Sequence, residues 1–193
     1  VHEALIENGK MMYTADPTEQ PQFLLLTTQI GRNRTRLPLL ANNDKIKVEF
    51  DTLSGGSFSW NISSGDYSDV IAEYLDIARE TEETTSELLE PYYEARANED
   101  EELLEEITSQ FQEAYDQQED AFIQLAYENP EFGTVLALME FQNVELEVLE
   151  TIQENLPDSY RSNDVAVNMS NKIELMRKTA IGQPMIDMEV PDA

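Results

Sequence analysis

Cysteine is missing from all 193 residues, histidine occurs once, at His2, and lysine and arginine together number only 12. Without cysteine the chain makes no disulfide, no thiolate metal site and no thiol nucleophile. His2 stands beside a terminus of the kind that frays, so the usual nucleophile–base pairs lack their base. No run of 18 apolar residues occurs, which excludes a membrane-spanning helix of ordinary length. The first residues, Val1-His-Glu-Ala-Leu-Ile-Glu7, have neither the basic region nor the apolar core of a secretion signal. Gly31 and the Gly55-Gly56 pair fit neither a P-loop nor a dinucleotide fingerprint. These absences predict no catalytic residue, no cofactor and no metal ligand.

Acid is what the chain has in excess. Forty Asp and Glu against the 12 bases leave a formal charge of −28, while 40% of residues are hydrophobic, enough for one substantial core or two small ones. Such a field repels nucleic acid and anionic lipid. Residues 79–120 alone hold 16 acids and two bases. The densest part, Glu99 to Glu106, invites a calcium or magnesium reading, but tight sites need six or more converging oxygens on a shaped loop. No D-x-[DN]-x-[DN]-G pattern supplies one. A solvated acidic helix face accounts for the run. Carboxylate pairs suited to glycoside chemistry arise by chance at this acid content and would need a cleft to carry meaning.

Two periodicities divide the chain. Residues 1–64 read as antiparallel β. Asn8-Gly9 is a two-residue hairpin signal between Glu3–Glu7 and Lys10–Thr14. Phe23-Leu-Leu-Leu26 is a short apolar run, and Pro38 within Leu37–Leu40 suggests an edge or a bulge. Ile46, Val48 and Phe50 alternate with polar residues, as do Phe58, Trp60 and Ile62 beyond Gly55-Gly56. From Ser63-Ser64-Gly65-Asp66 the spacing becomes helical, with Ser64 or Asp66 as the expected N-cap. Ile71, Tyr74, Ala78, Thr81, Thr85, Leu88 and Tyr92 recur at threes and fours. After Ala97-Asn98, so do Leu104, Ile107, Phe111, Ala114, Gln118, Phe122 and Leu125. Two narrow seams joined by a short connection predict an antiparallel helical hairpin, with a kink or restart at Pro91. Glu99–Glu102 sits where a helix N-terminus favours negative charge. The hairpin's middle is weakly apolar, so part of it should lean on something else. Shorter helices are expected around residues 132–141, 145–156 and 162–179, their apolar faces centred on Val135/Leu136/Met139, Val148/Leu149/Ile152 and Val165/Met169/Ile173/Met176. The fold class is therefore α+β: an antiparallel β meander or half-sandwich, then a mainly helical region with a long helical hairpin. The units are 1–64 (β, cut short at its N-terminus), 65–179 (helical) and 180–193 (an entry segment to a further domain).

Arg32-Asn-Arg-Thr-Arg36 is the one dense basic patch, expected on a loop between strands, and Arg32, Arg34 and Arg36 are the candidate contacts for an acidic partner. Trp60, Tyr67, Tyr74 and Tyr92-Tyr93 stand at strand and helix spacing, which favours packing over an aromatic binding face. After Gly182 an extended segment, Met185/Ile186, Met188 and Val190 between two prolines, reads as a strand in need of a sheet.

The order of parts carries a resemblance. A β run ending in Leu37-Pro-Leu-Leu-Ala-Asn-Asn-Asp-Lys-Ile-Lys-Val-Glu-Phe-Asp51 is followed by Trp60-Asn-Ile-Ser-Ser-Gly-Asp-Tyr-Ser-Asp69 opening a long helix, then Ala126-Tyr-Glu-Asn-Pro130 and Ala180-Ile-Gly-Gln-Pro184. This is similar to the N-terminal half of TlpA/ResA-like envelope thiol–disulfide oxidoreductases. In these a β-sandwich domain of unknown function and helices precede an x-I-G-x-x-A-P-x-F entry into the thioredoxin fold. Gly182, Gln183 and Pro184 mark that entry here. Met185 and Ile186 replace the usual Ala-Pro, and Met188 the usual Phe. The resemblance implies a non-catalytic accessory region in the periplasm or cell envelope, with a lipid anchor upstream. It positions a downstream thioredoxin-like domain that bears the Cys-x-x-Cys, or contacts a protein substrate or a second copy of itself. The alternatives are a free-standing acidic interaction or dimerisation module, and, behind it, a carboxylate-based glycosidase or cation-binding protein.

Overall fold

The computed structural model describes residues 17–30, 33–52 and 58–179. The Asn8-Gly9 hairpin, His2, Arg32, Gly55-Gly56 and the segment Gly182–Val190 lie outside the described residues.

β1 (Gln22–Ile30) pairs antiparallel with β2 (Asn33–Ala41), Gln22 opposite Ala41 and Ile30 opposite Asn33. β3 (Lys47–Thr52) pairs with β4 (Phe58–Ser64). The alternation in these last two strands brings Val48 opposite Ile62 and Phe50 opposite Trp60, with a register shift between Lys47 and Val48. Among the described residues β2 and β3 do not pair, so the strands form two separate two-stranded ribbons. Ribbons of this size need a hydrophobic surface to rest on. Leu37, Leu39 and Leu40 of β2 and Ile62 of β4 are buried in the helical core, with Phe23, Leu24, Val48 and Trp60 packed against it. Pro38, opposite Leu25, occupies a strand whose far edge has no partner among the described residues, where a missing N–H breaks no ladder.

The chain turns from β4 into α1 (Ser68–Ala97) through a knot of short side chains. Asp44 Oδ2 accepts from Asp66 N at 2.6 Å, and Asn42 Nδ2 donates to Asp66 Oδ2 at 3.0 Å. Gly65 lies at φ +119°, and a Cβ there would meet Asp44 Oδ2 at 2.9 Å, so glycine is required. Neither Ser64 nor Asp66 caps the helix. Tyr67 holds the N-cap position without a side-chain hydrogen bond. The two expected caps are taken by tertiary ties, Ser64 Oγ donating to Lys45 O and accepting from Lys47 N.

α1 continues through Pro91 as one helix, without a restart. It ends against Asn98 and a left-handed Glu99, and α2 (Glu101–Glu128) opens on Asp100, whose side chain accepts from Leu103 N at 3.2 Å. At 1.5 Å per residue each helix is roughly 42–45 Å long. Every residue of both predicted seams is buried or half-buried, while most residues between them are exposed. Near the base, Tyr74 stacks on Phe122 at 5.1 Å and meets Phe132 edge-on at 5.9 Å. Farther out, Tyr92 meets Phe111 at 6.1 Å.

α3 (Pro130–Met139), α4 (Leu146–Asn155) and α5 (Asp164–Thr179) fold back on the base of this hairpin. Phe132, Val135, Leu136, Leu149, Ile152, Tyr160, Ala166 and Ile173 are all at most 1% exposed and form the centre of the core. Gly133 lets α3 approach closely: an added Cβ would lie 2.9 Å from Ala126 O and 3.1 Å from Ile152 Cγ2. The core thus holds the base of the hairpin, and the distal half projects as an arm whose described packing partner is the other helix of the pair.

Candidate functional site

Of the arginine group expected from sequence to contact a partner, Arg34 and Arg36 do not sit on a loop. Arg34 and Arg36 belong to β2, opposite Gln29 and Thr27, because Asn33 continues the β1–β2 ladder to its end. Arg36 is exposed. With Arg32, Gly182, Gln183 and Pro184 outside the described residues, no constellation forms from the predicted set.

The described surface has open grooves, two of which bear on the site. The first, about 610 Å³, runs between residues 18–23 and the start of α5. Two of its polar side chains, Gln20 and Asn163, act as staples. Gln20 Nε2 donates to Ser159 O at 2.8 Å and to Ser162 Oγ at 2.7 Å. Asn163 Nδ2 donates to Pro21 O at 2.6 Å, and its Oδ1 accepts from Val165 N at 3.0 Å. Asn163 thereby ties the first turn of α5 to the chain entering β1. The second groove, about 260 Å³, lies between α2 and the turn after α3, lined by Tyr115, Phe122 and Phe141 with Glu119 and Glu140 beside them.

The perturbed tyrosines and Lys172 are also internal ties. Tyr67 donates through its hydroxyl to Glu131 Oε2, and Tyr74 donates to Glu140 Oε1 at 2.8 Å. Burial, reinforced by the carboxylate each one faces, pushes both phenols far above their ordinary 10.0. Tyr160 is raised chiefly by burial and shares a 3.4 Å contact with Thr134 Oγ1. Lys172 Nζ donates to Ala137 O at 3.1 Å and to Phe141 O, capping the end of α3, and burial lowers its pKa. Pairing Tyr67 and Tyr74, at and within the start of α1, with Glu131 and Glu140, at the two ends of α3, clamps the hairpin to the body. Sequence reasoning placed Tyr67 and Tyr74 as packing residues and missed these carboxylate partners, since nothing in local spacing links positions 64 or 66 residues apart.

Among the described residues no group of three or more His, Asp or Glu is placed to hold a metal ion, including the run Glu99 to Glu106. No described helix is long and apolar enough to cross a membrane. No described buried side-chain nitrogen or oxygen lacks a hydrogen-bond partner. The hairpin seam residues Ile71 and Ile107 are 1% and 3% exposed, so these two are covered within the single chain. What remains presented to solvent is the acidic arm with a few large apolar side chains on it. Comparison of the chain with family models, curated proteins and solved structures finds no match.

Proposed function

We propose that this chain is the non-catalytic accessory region of an extracytoplasmic thioredoxin-like thiol–disulfide oxidoreductase. Its role is to hold the redox domain in place or to offer that domain's partners a surface. A cysteine-free chain performs no thiol–disulfide exchange itself, so any such chemistry belongs to a downstream domain. The observation that carries the reading is how the described polar core is used. Tyr67, Tyr74, Tyr160, Lys172 and Asn163 each hold one element to another. The resemblance supplies the kind of partner, since α5 ends at Thr179, directly before Ala180-Ile-Gly-Gln-Pro184. Mass spectrometry of the natural gene product tests it. The expected result is a polypeptide well above 22.0 kDa with a Cys-x-x-Cys beyond residue 193; a mature protein ending at Ala193 sinks the proposal.

A second reading, a free-standing acidic interaction module, is favoured by one observation, the exposed apolar side chains on the projecting arm. It uses the same surface as the first and differs only in needing no downstream redox domain.

A further inference from the structure

Leu89, Tyr93 and Tyr115 are 47%, 61% and 52% exposed on an arm that otherwise shows solvent mostly acids and glutamines. Each directly succeeds a seam residue: Leu88, Tyr92 and Ala114. One residue along a helix is a 100° turn. In two antiparallel right-handed helices with facing seams, the residue after a seam position falls on the same side of both. The three side chains therefore share one broad face. The Tyr92–Phe111 contact at 6.1 Å sets their level along the arm. Leu89 lies three residues and Tyr115 four residues toward the base from it, roughly 4.5 and 6 Å, so they stand nearly side by side.

The same rule separates the charges. Residues that precede seam positions, on the opposite face, include Glu80, Glu87, Glu106 and Glu113. Those that come just after the seam around the apolar trio are Ser86, Thr108 and Gln112, with Glu82, Glu105 and Glu119 at the margin. Tyr115 also rims the 260 Å³ groove floored by Phe122 and Phe141 and flanked by Glu119 and Glu140. That volume is below the range of small-molecule sites and suits a single large side chain.

We propose that this face and the groove it leads into form a docking site for a lysine- and arginine-rich protein segment that presents apolar side chains. Leu89, Tyr93 and Tyr115 are the anchors, and the chain's net charge of −28, with the few carboxylates at the margin of the face, steers the approach and selects the charge. Charge decides the occupant. A second copy would bring −28 against −28, and nucleic acid or anionic lipid would be repelled in the same way. A cationic segment alone gains from both the field and the apolar patch. The proposal rests on the reading of the chain as an interaction region and not on its redox kinship.

The test uses the whole chain and two fluorescent probes, an amphipathic leucine–lysine peptide and an oligolysine of equal charge, with anisotropy read at low and physiological salt. The leucine-bearing peptide should bind at least about tenfold more tightly than oligolysine. The triple variant Leu89→Ser/Tyr93→Ser/Tyr115→Ser should erase that difference while leaving oligolysine binding and the melting temperature unchanged. Equal affinity for the two probes, or an unaffected triple variant, overturns the proposal by reducing the arm to diffuse charge. A concentration-dependent dimer that the same variant abolishes overturns it in favour of a second copy. A gene product without Cys-x-x-Cys would remove the redox kinship and leave these binding results standing.

Discussion

Substituting Gly133 by alanine separates intrinsic helix preference from tertiary packing at one atom. In a solvent-exposed helix, Gly→Ala stabilises by about 1 kcal/mol. At position 133 the new methyl would lie 2.9 Å from Ala126 O, 3.1 Å from Ala126 Cβ and 3.1 Å from Ile152 Cγ2. The first contact is with backbone, so α3 must move away from α2, and the third resists that motion from the side of α4. Overpacking a tight core costs about 1–3 kcal/mol. With one rigid and two close neighbours the upper half of that range applies, which leaves a net loss of about 1–2 kcal/mol. For a chain of this length the melting temperature should fall by roughly 2–8 °C. The urea midpoint should drop at unchanged slope, both followed by circular dichroism. Gly133→Ser and Gly133→Val should be progressively worse. A Gly133→Ala variant as stable as the parent, or more so, would refute the close approach of α2, α3 and α4 and the account of the core built on it.

Replacing Tyr74 by phenylalanine removes the 2.8 Å bond to Glu140 and strands a partly buried carboxylate, at a cost of about 1.5–3 kcal/mol in urea unfolding. The phenols of Tyr67 and Tyr74 are raised above 10.0 in the folded state. Their contribution is therefore fully present below pH 10 and is lost as pH climbs through the folded-state values. Melting curves from pH 8 to 11, with phenolate absorbance alongside, should show stability falling as the pH passes 10, and falling less in a Tyr67→Phe/Tyr74→Phe variant. Glu99 is held at φ 55°, a conformation that costs a non-glycine residue about 1–2 kcal/mol. Glu99→Gly should thus raise stability by up to about 1 kcal/mol, and a loss would place the strain elsewhere. Self-repulsion at −28 predicts a melting temperature that rises on the order of 5 °C between 10 mM and 0.5 M sodium chloride; a flat response would show that the charge is too dispersed to matter.

The helices could be read in advance because their signals are local. The spacing of Ile71 through Tyr92 and of Leu104 through Leu125 defines two stripes, and each stripe is the buried one. The connection at Ala97-Asn98, the acidic start of α2 and the stop at Asn129-Pro130 are chemistry of neighbouring residues. The capping of α1 was not legible, because Ser64 and Asp66 have the right composition but find better partners in Lys45, Lys47, Asn42 and Asp44. Nor was the placing of Asn33–Arg36 in a strand, since a polar, arginine-rich run reads as loop until a ladder to β1 claims its backbone. Carboxylate partners such as Glu131 and Glu140 could not be picked from forty acids by spacing.

Periodicity, composition and charge by themselves decided that this chain is α+β, that its helical hairpin is acidic and that it carries no thiol chemistry of its own. These properties depend on which residues are present and how they repeat over a few turns. Only the tertiary structure decided that the described strands form two separate ribbons, that the hairpin is clamped at its base by Tyr67 and Tyr74, and that Leu89, Tyr93 and Tyr115 are left outside. Those outcomes turn on which surfaces meet across many residues of intervening chain, and a one-dimensional pattern carries that information only weakly.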